Sequence, residues 1–209
     1  MDEAGRGPLA GPVVAAAVIL HNADDIPGLQ DSKKLSEEKR EALFPLIQQK
    51  AFSWTIAEAT PEEIDRLNIL QADFLAMRRA LARMGVTGLQ NGNPSATVLS
   101  GGQIPGMEES LHILVDGNLL IGGVPLGLQT AVVKGDAHVA SIAAASILAK
   151  VHRDRIMVDL AAQFPQYGLE GHKGYPCPAH IEAIRIHGLS PCHRKSFKPK
   201  ALDQLGFFG

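Results

Sequence analysis

Residues 12–20 read Pro-Val-Val-Ala-Ala-Ala-Val-Ile-Leu, an apolar run without a charge. It is shorter than the roughly 20 residues that span a bilayer. Its length and β-branched content make it a buried strand. The rest of the chain alternates around it. Ser36 caps a helix running to about Lys50, with Glu37 and Glu38 in its first turn. Pro45 inside that helix implies a kink or break. Residues 51–59 read as a strand. Thr60-Pro61-Glu62-Glu63 combines an N-cap, a proline at N1 and a capping-box glutamate. The helix it opens has apolar spacing through Ile64, Leu67, Leu70 and Leu75 to about Met84, where Gly85 stops it. Six glycines and two prolines between residues 85 and 106 read as a long mobile loop. Leu111 to Val115 and Thr130 to Val133 are short strands. They deliver Asp116-Gly117 and Lys134-Gly135-Asp136. A long helix follows, with Ala140, Ala143, Ala144 and Ala145 on a face suited to close packing, and it ends before Pro165. Pro178 to His187 is a further helix, stopped by Gly188. The alternation predicts a mixed α/β sheet with C-terminal helices and no internal repeat.

Composition narrows the class. A length of 209 residues suits one domain with an appended helical region. No basic n-region precedes the apolar run, so it is no signal peptide. Cys177 and Cys192 are the only cysteines, which fits a reducing cytosol without excluding one bridge. A cytoplasmic monomer with no membrane contact is expected. The net charge of −2 is unevenly spread: residues 1–149 carry −6 and residues 150–209 carry +4. An acidic body beside a basic C-terminal region can hold cations and a polyanion at neighbouring sites.

The chain opens Met1-Asp2-Glu3-Ala4-Gly5-Arg6-Gly7. Adjacent carboxylates repel unless a cation lies between them. The two glycines let backbone N–H groups approach a ligand, and the arginine can grip a phosphate or a base edge. An anion site touching a metal site is what phosphodiester cleavage needs. Asp116 and Asp136 end short strands beside glycines. With Asp2 and Glu3 they make an oxygen-donor set suited to Mg²⁺ or Mn²⁺.

These features resemble the type 2 ribonucleases H, specifically bacterial ribonuclease HII. The resemblance rests on DEAGRGPLAGPVV, LQDSKKLSEEKR, LNIL, VDGN, VVKGD, SIAAASILAKVHRD, FPQYG, GHKGYP and HRKSF, in family order over nearly the whole chain. It implies a ribonuclease H-like fold: a five-stranded mixed sheet flanked by helices, with a C-terminal helical extension. Residues 1–164 would be the catalytic domain, 165–203 the extension and 204–209 a tail. It implies hydrolysis of RNA in RNA–DNA hybrids, and incision 5′ of a ribonucleotide embedded in duplex DNA. Two metal ions would act, leaving 5′-phosphate and 3′-hydroxyl ends. Asp2, Glu3, Asp116 and Asp136 resemble the metal-binding tetrad. Gly5, Arg6 and Gly7 resemble the loop that reads the ribose 2′-hydroxyl. Tyr167 resembles the aromatic that packs on the sugar at the RNA-to-DNA junction. Lys33, Lys34, Lys150, Arg153, Arg194 and Lys195 would contact phosphates. The end Gln204-Leu205-Gly206-Phe207-Phe208-Gly209 resembles a sliding-clamp-binding motif, with Phe207 where leucine is more usual.

The chain departs from the family pattern in three places. The apolar strand that precedes the first acid is absent, which implies a truncated first strand and either a natural start upstream of Met1 or an impaired chain. The segment from Val86 to Ser110 is long. Cys177 follows Gly-Tyr-Pro where threonine is common. Two further readings stand beside this one. A resolvase or transposase core would also use three or four carboxylates, but would leave Gly5-Arg6-Gly7 and Tyr167 without a role. Cys177, His180, His187, Cys192 and His193 form a set of zinc-binding types, though their spacing lacks the paired arms of common zinc sites.

Overall fold

The computed structural model of the protein describes residues 1–21, 26–86, 89, 98–101 and 111–203. The apolar run becomes β2 (Val13–Leu20). It lies between β1 (Asp2–Ala4) and β3 (Ala51–Ala59), both antiparallel to it. Side chains alternate across a strand. Val13, Ala15 and Ala17 therefore enter one core cluster, and Val14, Ala16 and Val18 another. Coverage on both faces is why the run has no polar position.

β4 (Val98–Gly101) pairs with the free edge of β3, while β5 (Ile113–Asp116) and β6 (Gln129–Val132) form a parallel pair. Met1 joins the two groups. Its amino group donates to the Leu114 carbonyl at 2.6 Å, and its carbonyl accepts from the Asp116 N–H at 3.0 Å. That is the parallel-ladder pattern around Val115. The strands β3-β2-β1-β5-β6 make the five-stranded mixed sheet that was expected, and β4 extends it. β4 also corrects the reading of residues 85–106 as one long loop. Val98-Leu99-Ser100 is a short β-forming run among the glycines, and the β3 edge gives it a partner. β2 runs on beyond Ala16, the partner of Asp2, and a cavity of about 410 Å³ lies between its end and β5.

One face of the sheet is covered by α3 (Ile69–Arg83), the other by α1 (Glu37–Lys50) and α4 (Ala140–Gln163). Ala143, Ala144 and Ala145 are buried, and these small side chains let α4 lie close on β1 and β2. α1 runs through Pro45 without the break that was one expected outcome; the proline lies on the exposed face, where water can serve the carbonyl it leaves unpaired. The helix expected from Pro61 to Met84 is two helices. α2 (Pro61–Leu67) ends at Asn68, whose φ of +70° breaks the run and whose side chain accepts from Gln71 N–H to cap α3. Asparagine tolerates this conformation and caps well.

The C-terminal region adds α5 (Leu169–His172), α6 (Pro178–His187) and α7 (Lys200–Asp203). A third cluster packs Leu169, Ile184, Cys192 and Leu202 against Leu9, Ala10 and Met157. Backbone bonds stitch it to the chain that follows β1: Leu9 N–H to Gly174 O, Gly11 N–H to Cys192 O and Arg194 N–H to Leu9 O, each at 2.8 Å. Both cysteines are free. No helix among the described residues is long and apolar enough to cross a membrane.

Candidate metal centre and nucleic-acid surface

Asp2 lies in β1, Asp116 ends β5, and Asp136 sits in the turn after β6. Oxygen atoms of these three carboxylates all lie within 4.8 Å of one another, the only such group among the described residues. Local backbone makes the convergence. Lys134 adopts a left-handed φ of +56°. Gly135 packs so close to Ile142 that a Cβ there would lie 2.6 Å from its Cδ1. The turn folds back, and Asp136 N–H donates to Asp116 Oδ1 at 3.3 Å. Ser146 on α4 hydrogen-bonds Asp2 and meets Ser32 Oγ at 2.8 Å.

Glu3 is the tetrad member outside the group. Successive strand residues face opposite sides. Asp2 thus faces α4, while Glu3 faces α3, with its Oε1 3.7 Å from Arg6 Nη1. Burial, then the neighbouring carboxylates, push Asp2 and Glu3 up to about 7; Glu3 acts on Asp2, and Asp73 and Asp116 act on Glu3. Asp136 is raised by burial, Asp116 and Asp31. Burial works against the Lys33 ammonium, but Asp2, Asp136, Asp31 and Asp116 outweigh it and raise its pKa. Carboxylates that hold protons against one another gain from a divalent cation, and an all-oxygen donor set suits a hard one.

The segment after Glu3 is held by two buried guanidinium groups. Arg194 donates to the carbonyls of Gly5 at 2.6 Å, Gly11 at 2.9 Å, and Arg6 and Pro12 at 3.1 Å. Arg153 donates to Ala10 at 3.0 Å, and to Pro12 and Lys173 at 3.1 Å. Each is 1% exposed. Burial lowers Arg153 to about 10; burial and the charge of Arg153 lower Arg194 to about 9, so both remain cations near neutrality. Gly5, with φ +94°, has no room for a side chain: a Cβ would lie 2.0 Å from Arg153 Nε. Arg6 and Gly7 emerge on the surface beside Tyr175, whose ring lies 3.6 Å from where a Gly7 Cβ would be.

Several residues expected at substrate stand elsewhere. Arg153 and Arg194 spend their donors on the backbone rather than on a surface. Tyr167 is 4% exposed, donates to Gly188 O at 3.0 Å and packs edge-on against His193. Tyr175, at 46% exposure, is the tyrosine beside the glycine loop, and GHKGYP carries it in the sequence. Lys150 pairs with Asp154 at 2.6 Å. Lys33, Lys34 and Lys195 are exposed, with Lys195 N–H donating to Asp65. Gln204, Leu205, Phe207 and Phe208 lie outside the described residues. The cysteine and histidine set makes no metal group among the described residues; His180 and His193 meet each other instead, Nε2 to Nε2 at 3.1 Å. Asp73 on α3 is a fifth acid at the site, with its Oδ2 3.6 Å from Arg6 Nε. A lone aspartate on the buried face of an apolar helix was its signal.

The profile of the Ribonuclease HII family matches residues 1–90 and 109–200. The chain is 55% identical over 198 residues to Ribonuclease HII of Marinomonas sp. strain MWYL1, covering 95% of this chain and 88% of that one. It is 52% identical to Ribonuclease HII of Dechloromonas aromatica strain RCB, covering 96% and 90%. Among solved structures it is similar to the ribonuclease HII in the PCNA:RNase HII complex from Archaeoglobus fulgidus, with a TM-score of 0.70 at 25% identity, covering 95% and 93%. It is also similar to ribonuclease H2 from Pyrococcus horikoshii OT3, with a TM-score of 0.67 at 25% identity, covering 98% and 96%.

Proposed function

The chain belongs to the ribonuclease HII family of ribonuclease H endonucleases, and from that premise we propose that it cuts RNA–DNA hybrids and incises 5′ of single ribonucleotides embedded in duplex DNA. The observation that carries the reading is the group of Asp2, Asp116 and Asp136, with Asp2 four positions before the exposed Arg6-Gly7 edge that Tyr175 borders. Mg²⁺ or Mn²⁺, two ions held by these acids and Glu3, would supply an activated water and stabilise the leaving 3′ oxygen.

The protein's own groups do the rest. Lys33 adds positive charge beside the carboxylates, where a phosphate must approach. The carbonyls of Gly5 and Arg6 are turned inward to Arg194, which supports a loop that offers N–H groups to a 2′-hydroxyl, the group only RNA carries. The ring of Tyr175 is free to pack on a sugar. Residues 1–164 then form the catalytic domain, and the extension 165–203 delivers Tyr175 and Arg194 to it. The tail 204–209 would dock on a sliding clamp and bring the enzyme to replicating DNA in the cytoplasm. A peptide of residues 201–209 should bind the clamp saturably at roughly micromolar level, and no saturable binding would remove the clamp from the reading.

The test is a panel of RNA–DNA, RNA–RNA and DNA–DNA duplexes, each with Mg²⁺, Mn²⁺ or a chelator. Cleavage of the RNA strand of the hybrid, abolished by chelation, is expected. Equal cleavage of the DNA duplex would favour a resolvase-like nuclease instead, and cleavage that survives chelation would overturn the metal centre.

A further inference from the structure

α3 carries a carboxylate on its buried face. Asp73 is 1% exposed, next to the core residues Ala72 and Phe74. Its Oδ1 has no hydrogen-bond partner, and its Oδ2 lies 3.6 Å from Arg6 Nε. A buried, half-partnered carboxylate is unfavourable, and an apolar side chain would fill the place with less penalty. Core packing therefore does not account for an acid here. The residue it faces is the arginine of the glycine loop.

Arg6 stands between two acids, 3.6 Å from Asp73 and 3.7 Å from Glu3. Both separations exceed a hydrogen bond, so the guanidinium is shared rather than locked. Glu3 belongs to the metal-binding set in the function proposed above, on which this inference rests. It cannot give its full charge to a cation and to Arg6 at once. Asp73 lies outside the Asp2–Asp116–Asp136 group and has no such second duty. We propose that Asp73 is a positioning residue for Arg6: it retains the guanidinium at the substrate surface when Glu3 turns to a cation. Without it, Arg6 has Glu3 alone, competes with the metal there and leaves the loop edge.

The test is a double-mutant cycle on the full chain, comparing wild type, Asp73→Asn, Arg6→Ala and the double variant. Mn²⁺ binding is read by calorimetry, and KM and kcat on a duplex with one ribonucleotide. With Arg6 present, Asp73→Asn should weaken Mn²⁺ about fivefold and raise KM about tenfold, with kcat changed less than KM. With Arg6→Ala, each shift should shrink to less than about twofold. Equal shifts in both backgrounds would mean a bare charge or packing effect and overturn the proposal, as would no shift in either. Should Asp73→Asn melt early, Asp73→Ser carries the same test. A wild type that binds Mn²⁺ but cuts no ribonucleotide duplex would fail the functional reading, while the calorimetric coupling would still decide Asp73.

Discussion

Asp116 sits at the end of β5 with its side chain partly open, and it contributes charge to the acidic group rather than packing to the core. Asp116→Asn should therefore cut the cleavage rate about a thousandfold or more and leave the melting temperature near wild type. A variant that cleaves at near-normal rate would remove Asp116 from the centre. The tyrosines separate in the same way. Tyr175→Ala should weaken activity on a single-ribonucleotide duplex about tenfold or more, since stacking is worth about 1–3 kcal/mol. Tyr167→Phe loses the bond to Gly188 O, about 1 kcal/mol of stability, and should leave KM unchanged. The reverse pattern in steady-state kinetics would return Tyr167 to the substrate. Asp116 and Asp136 stood out in the sequence because each adjoins a glycine turn after a short strand, and Asp2 because two adjacent acids open the chain; the fold brings these three carboxylates together and leaves Glu3 outside the group. The tyrosines were not legible, because both lie in motif-bearing loops and only the docking of the extension decides which ring is buried. Arg153 and Arg194 read as phosphate ligands for a related reason. A basic residue is by default solvated, and all the carbonyls that bury these two, except that of Lys173, come from more than 140 positions away in the chain.

The segment from Gly5 to Pro12 is neither strand nor helix, yet five of its carbonyls are satisfied by two side chains. A guanidinium presents five donors in a fixed fork, whereas an ammonium presents three from a point. Arg194→Lys should leave carbonyls unpaired, lower stability by about 1–3 kcal/mol and reduce ribonucleotide-specific cleavage more than metal binding. Unchanged melting and kinetics would show that the loop holds itself. Elements with local signals were readable. β3 spans the residues expected, the Thr60–Glu63 capping box forms on both sides, and Gly188 ends α6. Elements decided by partners were not. Asn68 splits a helix whose apolar spacing runs on without interruption, and β4 exists because β3 has an edge to offer.

Across the whole molecule, three core clusters meet around the chain that follows β1, so the extension and the acidic centre share one support. The buried imidazole pair makes it sensitive to acid. Burial, with lesser effects from other imidazoles, lowers His180 and His193 to about 4. The unfolded chain takes up those protons near 6.5, so stability is lost as pH falls from about 6.5 to about 4. Asp2, Glu3 and Asp73, raised to about 7, act in the opposite direction over much of that window. The informative quantity is therefore a difference. Between pH 7 and pH 5, wild type should lose more melting temperature than His193→Gln, and a larger loss in the variant would contradict the assignment. The alternation of apolar runs and capped helices made the α/β sheet legible from the sequence. The joining of its two halves was not, because it rests on two backbone bonds of Met1 that no side-chain pattern encodes. The central claim is that this acidic centre, beside Gly5-Arg6-Gly7 and Tyr175, recognises one ribonucleotide and cuts before it. It is tested most directly by mapping the ends formed on duplex DNA carrying a single ribonucleotide, with Mg²⁺ or Mn²⁺ and with chelator. A metal-dependent nick 5′ of the ribonucleotide, leaving 3′-hydroxyl and 5′-phosphate ends, is the predicted result; a nick 3′ of it, or a 2′,3′-cyclic phosphate end, would contradict the account.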